Sequence, residues 1–94
     1  MSQPFFVYIL LCADASYYVG HTDNVEKRFA EHQAGGKCAY TLTRRPVQLV
    51  WCEEFVTRDE AKAAESRIKR WSRAKKVALI RGDHEGLRTA AKKD

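Results

Sequence analysis

Four polar side chains fall at sequence positions where an apolar side chain would be less costly to bury. Arg28 and His32 lie one turn apart on the core-facing side of a predicted helix. Glu65 shares the apolar stripe of a later predicted helix, and Tyr8 stands inside an apolar predicted strand. A charged group that faces a core is costly unless it is paired or bound to a metal, so these positions are candidates for chemistry.

Two interpretations of this set are open from the residues alone. In the first, Glu65 and Arg28 form a buried ion pair with a purely structural role. In the second, the set cleaves phosphodiester bonds. Glu65 then holds a hydrated Mg²⁺ and Arg28 neutralises the phosphate. A tyrosine or histidine would take the proton of the attacking water.

Apolar patterns predict three strands and three helices that must position these groups. The strands span about 5–12, 17–20 and 47–55, and the helices span about 24–34, 57–71 and 72–82, with a basic loop at 37–46. Asp23 is the predicted N-cap of the first helix. Thr57 and Glu60 form the capping box of the second helix, Ser72 caps the third, and Gly35 ends the first.

The placement of the tyrosines depends on the register of the first hairpin. Tyr17 and Tyr18 are neighbours in a strand and point to opposite faces, so at most one joins a given site. If paired residue numbers sum to an even value, Tyr18 lies on the face of Tyr8. The turn at 13–16 contains no Gly or Asn, and the sequence does not fix this register.

The net charge of +5 is concentrated in one segment. Residues 58–81 carry nine Lys/Arg against three Asp/Glu, which favours an anionic partner, with nucleic acid first. The alternative is a solvated helical surface. The candidate nucleic-acid contacts are His21, Lys37, Tyr40, Arg44, Arg45, Lys69, Arg70, Arg73, Lys75 and Lys76.

The rest of the composition predicts a small cytoplasmic protein. Its 94 residues are 45% hydrophobic, which is typical of one folded domain with a modest core. No segment reaches the roughly 20 apolar residues of a membrane helix, and residues 1–4 do not resemble a signal peptide. Cys12, Cys38 and Cys52 form no C-x-x-C pair, which favours free thiols, with Cys12 and Cys52 as small core residues.

The ordered set of these residues resembles the motifs of the GIY-YIG nuclease superfamily, in its small stand-alone branch. The motifs appear as Phe6-Val7-Tyr8, then Tyr18-Val19-Gly20, then Glu26-Lys27-Arg28 followed by His32, and later Glu65. The resemblance spans roughly residues 5–82. Phe6 replaces the glycine of the first motif, and no asparagine follows Asn24 to match the site asparagine of some members.

The resemblance implies a fold and a domain division. The fold is an α/β chain of the α+β type, with a small three-stranded antiparallel sheet flanked by about three helices. Residues 1–82 would form this single domain, and residues 83–94 a C-terminal extension.

The resemblance also implies roles for the tyrosines and for the histidine after the third motif. Tyr8 would be the general base toward water, and Tyr18 would position the phosphate or share that duty. His32 would bond a tyrosine hydroxyl and ease its deprotonation.

The remaining roles concern charge. Arg28 would stabilise the transition state, Glu65 would be the metal ligand, and His21 would lie near the phosphate. The implied cofactor is Mg²⁺ or Mn²⁺, with no tightly bound small molecule, and the implied partner is nucleic acid, DNA in preference.

The hypothesis from the sequence is therefore a metal-dependent endonuclease that hydrolyses phosphodiester bonds in DNA, with branched or structured forms as candidate substrates. Low sequence specificity is expected because the chain has no second domain for target recognition. The alternative is a non-catalytic nucleic-acid-binding module with the same fold. A third interpretation is an interaction adaptor whose Glu65–Arg28 pair is structural.

Overall fold

A three-stranded antiparallel sheet forms the centre of the protein, as seen in a computed structural model that describes residues 4–35 and 38–83. The strands are β1 (Phe5–Leu11), β2 (Tyr17–Thr22) and β3 (Gln48–Phe55), in the order β2-β1-β3. Within the described residues the helices are α1 (Val25–Ala34), α2 (Ala39–Leu42), α3 (Arg58–Lys69) and α4 (Arg73–Arg81). The predicted fold class is confirmed, and the short α2 lies in the segment predicted as a loop.

β1 lies between the other two strands because its side chains are apolar on both faces. One face of the sheet packs against α3, in a core cluster formed by Val7, Ile9, Val19, Ala61, Ala64 and Ile68. The opposite face holds a second cluster, formed by Tyr8, Leu10, Cys12 and Val47, with Phe29 of α1 and Tyr40 of α2 packed against it. The sheet therefore separates an α3–α4 side from an α1–α2 side.

The hairpin register places the two candidate tyrosines on the same face. Tyr8 pairs with Gly20 and Leu10 pairs with Tyr18, so the paired residue numbers sum to an even value. Tyr8 and Tyr18 therefore project toward the α1–α2 side. His21 follows Gly20 in β2 and projects from the other face, toward α3.

The helix ends follow the predicted caps with one correction. Asn24, and not Asp23, is the N-cap of α1, because its side-chain oxygen accepts the Lys27 amide at 3.1 Å. Thr57 and Ser72 cap α3 and α4 as predicted. Gly35, with φ of 76°, ends α1 in the left-handed conformation that glycine adopts without strain.

Three further predictions from the sequence concern the cysteines, membrane-spanning helices and the domain boundary. Cys52 is exposed on the edge strand β3, so its predicted place in the core is wrong, whereas Cys12 is buried. In the described part of the chain, every helix is too short or too polar to cross a bilayer. The division into residues 1–82 and 83–94 stays a prediction, since residues beyond Asp83 lie outside those described.

Candidate active site

Gly20 allows the ring of Tyr8 to lie across β2. Tyr8 is 2% exposed and faces Gly20 in the hairpin. A Cβ atom placed on Gly20 would lie 2.5 Å from the Tyr8 hydroxyl oxygen and 2.6 Å from its Cζ atom, which is far inside van der Waals contact. The glycine of the second motif is therefore required by the tyrosine of the first.

Gly20→Ala is expected to lower the free energy of unfolding by about 1–3 kcal/mol, because the buried Tyr8 ring must move. Urea denaturation would measure this loss, and the NMR signals of the Tyr8 and His32 rings would shift. Gly82→Ala is the control, since a Cβ on Gly82 has no neighbour within 4 Å. That control is expected to cost about 1 kcal/mol through its positive φ alone, with unchanged ring signals. Unchanged stability of Gly20→Ala would contradict the steric argument.

His32 joins the Tyr8 hydroxyl to α2 through two buried hydrogen bonds. Its Nε2 atom lies 2.9 Å from the Tyr8 hydroxyl oxygen, and its Nδ1 atom lies 2.8 Å from Oγ1 of Thr41. His32 is 1% exposed and Thr41 is fully buried. Burial, together with the nearby Arg28 charge, lowers the pKa of His32, so the imidazole is neutral at pH 7.

The guanidinium of Arg28 bonds the same tyrosine hydroxyl from α1. This bond raises the pKa of Arg28, which stays charged. Burial raises the pKa of Tyr8 even though the Arg28 charge opposes that shift, so the phenol is protonated at pH 7. The Arg28 side chain is 30% exposed and also pairs with Glu31, at 3.3 Å between Nη1 and Oε1. Arg28 can therefore reach both the buried hydroxyl and an incoming anion.

Tyr18 packs its ring beside the same group. Its ring centroid lies 5.0 Å from that of His32 and 6.3 Å from that of Tyr8. Burial raises the pKa of Tyr18, and a bond between its hydroxyl and the Cys38 thiol raises it further. Tyr40 extends the aromatic cluster, with its centroid 5.8 Å from the ring of Tyr18.

Glu65 lies on α3, on the opposite side of the sheet from Tyr8 and His32, and its partners are His21 and Lys69. The carboxylate Oε1 lies 2.9 Å from Nδ1 of His21, and Oε2 lies 3.4 Å from Nζ of Lys69. Burial is the main cause of the raised pKa of Tyr8, and Arg28 opposes it. The negative charge of Glu65 raises the same pKa by a smaller amount. The ion pair between Glu65 and Arg28 proposed from the sequence is therefore not the arrangement found, since each has other partners.

A polar cleft of about 310 Å³ adjoins these groups and shares two of them. Its lining residues are Phe5, His21, Thr22, Asp23, Asn24, Lys27, Arg28, Glu31 and Arg58. Basic side chains outnumber acidic ones in this lining, and the Arg58 guanidinium lies over the Phe5 ring, 5.1 Å from its centroid. The cleft therefore carries a small excess of positive charge beside Arg28.

Two arginines predicted as nucleic-acid contacts have intramolecular partners. Arg44 forms an ion pair with Asp14, at 2.9 Å, and lies over the Tyr40 ring. Arg45 donates to the backbone carbonyls of Leu42 and Gln33. Both side chains therefore fix the segment around α2. Lys37 lies outside the described residues.

The basic residues at the junction of α3 and α4 lie beside aromatic rings. The Arg73 guanidinium lies 4.6 Å from the Tyr17 ring centroid, and Lys75 Nζ lies 4.1 Å from that of Trp71. Arg70 is exposed, whereas burial lowers the pKa of Lys76. Lys69 connects this group to Glu65, so the basic surface continues from the carboxylate. We name Lys69, Arg70, Arg73, Lys75 and Lys76 the α3–α4 basic surface.

Among the described residues, Glu65 is the candidate ligand for a divalent cation, whereas Asp23 and Glu31 line the adjoining cleft. Within residues 4–35 and 38–83, no group of three or more His, Cys, Asp or Glu side chains could enclose a metal. Glu65 is 17% exposed, and Mg²⁺ keeps several waters and accepts one or two carboxylates. The available ligands therefore fit a hydrated Mg²⁺ and do not fit a zinc site with several protein ligands. For the metal to bind Oε2 of Glu65, Lys69 would have to move aside.

The roles of three residues in this arrangement were not predicted from the sequence. Thr41 bonds His32 and Cys38 bonds Tyr18, yet both stand in a segment predicted as a basic loop. The role of His21 as partner of Glu65 was also missed. The two residues are 44 positions apart, and no local pattern signals such a pair.

Comparison with known proteins finds a family match, similar sequences and two similar folds. Residues 4–78 match the family described as "GIY-YIG catalytic domain". A UPF0213 protein of Listeria monocytogenes is 51% identical over 84% of this chain and 88% of its own length. A solution NMR structure of a UPF0213 protein from Bacillus halodurans has 39% identity and a TM-score of 0.54, with 82% of each chain covered. An NMR structure of an E. faecalis protein has 35% identity and a TM-score of 0.60, with 88% of each covered.

Proposed function

This chain belongs to the GIY-YIG catalytic-domain family, and from that premise we propose that it is a metal-dependent endonuclease that hydrolyses phosphodiester bonds in DNA. The family implies nuclease-type activity, whereas the relatives named UPF0213 carry no stated activity. One observation supports catalysis in this chain above all others. The Tyr8 hydroxyl contacts both a neutral imidazole acceptor and an arginine cation.

Tyr8 is the general base of the proposed reaction. Its raised pKa means that no phenolate exists beforehand, so the phenol must lose its own proton as it accepts another. His32 is neutral, and its Nε2 atom lies 2.9 Å away, so the imidazole can receive that proton. When water attacks phosphorus, its proton passes to Tyr8, the Tyr8 proton passes to His32, and the P–O bond to the leaving oxygen breaks. The leaving oxygen takes a proton from solvent.

Arg28 connects substrate binding to the exposure of this base. The Tyr8 hydroxyl is nearly covered, and the Arg28 guanidinium is one of the groups bonded to it. A phosphate that draws Arg28 toward the cleft uncovers the hydroxyl for water. The same cation then neutralises the charge that grows on the phosphate oxygens during attack.

Glu65 is the residue proposed to hold Mg²⁺ or Mn²⁺, with His21 orienting its carboxylate. A bound divalent ion would supply Lewis-acid stabilisation of the phosphate. Tyr18 is proposed to line the phosphate position beside His32, since its own hydroxyl is bonded to a thiol.

The DNA is proposed to contact the polar cleft and the α3–α4 basic surface. Arg28 lines the cleft, and Lys69 of the basic surface contacts Glu65. These contacts are to phosphates and carry no base code, which supports low sequence specificity. Branched or structured DNA is the proposed substrate class, because shape rather than sequence would then select the site.

The test of this function is a cleavage assay on supercoiled plasmid, a four-way junction, a flap and a linear duplex. Purified protein is expected to cut with Mg²⁺ or Mn²⁺, to stop with excess EDTA, and to recover when the metal is restored. RNA versions of the same substrates decide the DNA preference. Absence of turnover on every substrate, despite binding, would contradict the proposal.

A non-catalytic nucleic-acid-binding module is the second candidate. One observation favours it: both carboxylate oxygens of Glu65 already have protein partners, the His21 ring on Oε1 and the Lys69 cation on Oε2. This candidate predicts binding that weakens steeply with salt and no metal-dependent cleavage.

Glu65→Gln separates these candidates without an activity measurement. If Glu65 holds the metal, the amide is expected to weaken Mn²⁺ binding by about 10- to 100-fold, because its neutral oxygen is a poorer ligand. Water-proton relaxation in a Mn²⁺ titration would measure this. Glu54→Gln is the control, since Glu54 is exposed on β3. Equal Mn²⁺ affinity in both variants would contradict a metal role for Glu65.

A further inference from the structure

We infer that Thr41 is a positioning residue that fixes His32 in the tautomer with its proton on Nδ1, so that Nε2 is free to accept the proton of Tyr8. Its importance for catalysis rests on the proposed function, whereas the tautomer itself follows from hydrogen-bond satisfaction. Thr41 is not among the motif residues that resemble those of the nuclease family.

The argument begins with the proton of the buried Tyr8 hydroxyl. This hydroxyl bonds two side chains, Arg28 and His32. A guanidinium has donors and no acceptor, so the Tyr8 proton can be accepted only by Nε2 of His32 within this group. Among the described residues, every buried side-chain nitrogen or oxygen has a hydrogen-bond partner, so the protons of this group are expected to be shared within it.

The tautomer of His32 then follows. Its pKa is lowered by burial, so the ring is neutral and carries one N–H. Thr41 decides which nitrogen carries it. Because the Thr41 hydroxyl proton goes to a backbone carbonyl, Oγ1, 2.8 Å from Nδ1, accepts the Nδ1 proton, and Nε2 is left to accept from Tyr8. Oγ1–H of Thr41 donates in turn to the Cys38 carbonyl at 3.4 Å. In this series of hydrogen bonds, from Tyr8 through His32 to Thr41, each proton is therefore donated in the direction of α2.

A hydroxyl suits this position better than a carboxylate would. A carboxylate on Nδ1 would also fix the tautomer, but its charge would raise the pKa of His32 and protonate the ring before the reaction. Thr41 orients the imidazole and leaves it neutral. The ring can then take the Tyr8 proton on Nε2 while it keeps the bond from Nδ1 to Thr41.

Two substitutions at Thr41 separate orientation from packing. Thr41→Val replaces the hydroxyl by a methyl of similar size, so Nδ1–H loses its acceptor inside the core. Thr41→Ser keeps the hydroxyl and removes only the methyl. We expect Thr41→Val to lower the cleavage rate by about 10- to 100-fold and Thr41→Ser to keep most of it.

The tautomer is read directly by two-bond ¹H–¹⁵N correlation NMR on protein with ¹⁵N-labelled histidine. Wild type and Thr41→Ser are expected to show a protonated Nδ1 and a bare Nε2 for His32. Thr41→Val is expected to show the proton on Nε2 or exchange between the nitrogens. A wild-type His32 with its proton on Nε2 overturns the inference, as does a Thr41→Val protein with unchanged tautomer.

This measurement is independent of nuclease activity. If the wild-type protein cuts no substrate, the proposed function fails while the spectrum still decides the tautomer. If Thr41→Val changes the tautomer but cleaves at the wild-type rate, the positioning role is overturned while the nuclease assignment stands. Should Thr41→Val not fold, the wild-type and Thr41→Ser spectra decide the tautomer.

Discussion

Arg28→Ala is expected to lower the rate of DNA cleavage by about 10³-fold while the protein stays folded. The guanidinium both bonds the Tyr8 hydroxyl and is exposed enough to meet a phosphate. Its removal takes away the charge that stabilises the transition state. The pair that it forms with Glu31 is a partly exposed i,i+3 contact on one helix, worth only about 0.2–0.5 kcal/mol, and the Tyr8 hydroxyl keeps its hydrogen bond to His32, so folding should survive.

Single-turnover cleavage at saturating protein separates this effect on the rate from an effect on binding. Arg67→Ala removes the same charge from an exposed position on α3 and should cleave close to the wild-type rate. Arg28→Lys keeps the charge but loses the planar donor fork, and we expect a rate between those of wild type and Arg28→Ala. A rate for Arg28→Ala equal to that of Arg67→Ala would reject the proposed role of Arg28.

Local chemistry in the sequence was sufficient to predict most elements of the fold. The apolar run of β1, the caps at Thr57 and Ser72 and the glycine at Gly35 each act within a few residues of where they stand. The error at the first cap has the same cause. Asp23 and Asn24 are both good caps, and the choice depends on which oxygen reaches the Lys27 amide.

The features of the candidate site that could not be predicted from the sequence depend on contacts between residues far apart in the chain. Helical periodicity indicated that Arg28 and Glu65 leave the solvated faces of their helices, but it cannot say which side of a sheet each helix covers. α1 and α3 pack on opposite sides, so Glu65 meets His21 from β2, whereas Arg28 meets Tyr8. Arg28 and Glu65 are therefore held by different strand residues, Tyr8 and His21, which the hairpin register presents to opposite faces of the sheet.

Tyr8→Phe is expected to lower the cleavage rate by about 10²- to 10⁴-fold, because it removes only the hydroxyl that takes the proton of water. The ring still fills its place above Gly20, so the cost in stability should be about 1–2 kcal/mol, from the unpaired Nε2 of His32. Tyr17→Phe is the matched control on the opposite face of β2. If Tyr8→Phe cleaves as fast as this control, Tyr8 is not the base.

Tyr18→Phe decides which of the two tyrosines on this face transfers the proton. The Tyr18 hydroxyl bonds the Cys38 thiol, and among the described residues it has no imidazole acceptor like that of Tyr8, so its loss should slow cleavage less. The pH profile gives a second criterion. Cleavage through Tyr8 needs a neutral His32, whose pKa is lowered below its ordinary value of about 6.5 by burial. The wild-type rate should therefore stay level as pH falls from 8 to about 6.5 and drop only at lower pH, as His32 becomes protonated. Because Tyr8→Phe has lost the transfer to His32, its residual rate should lack this acidic limb.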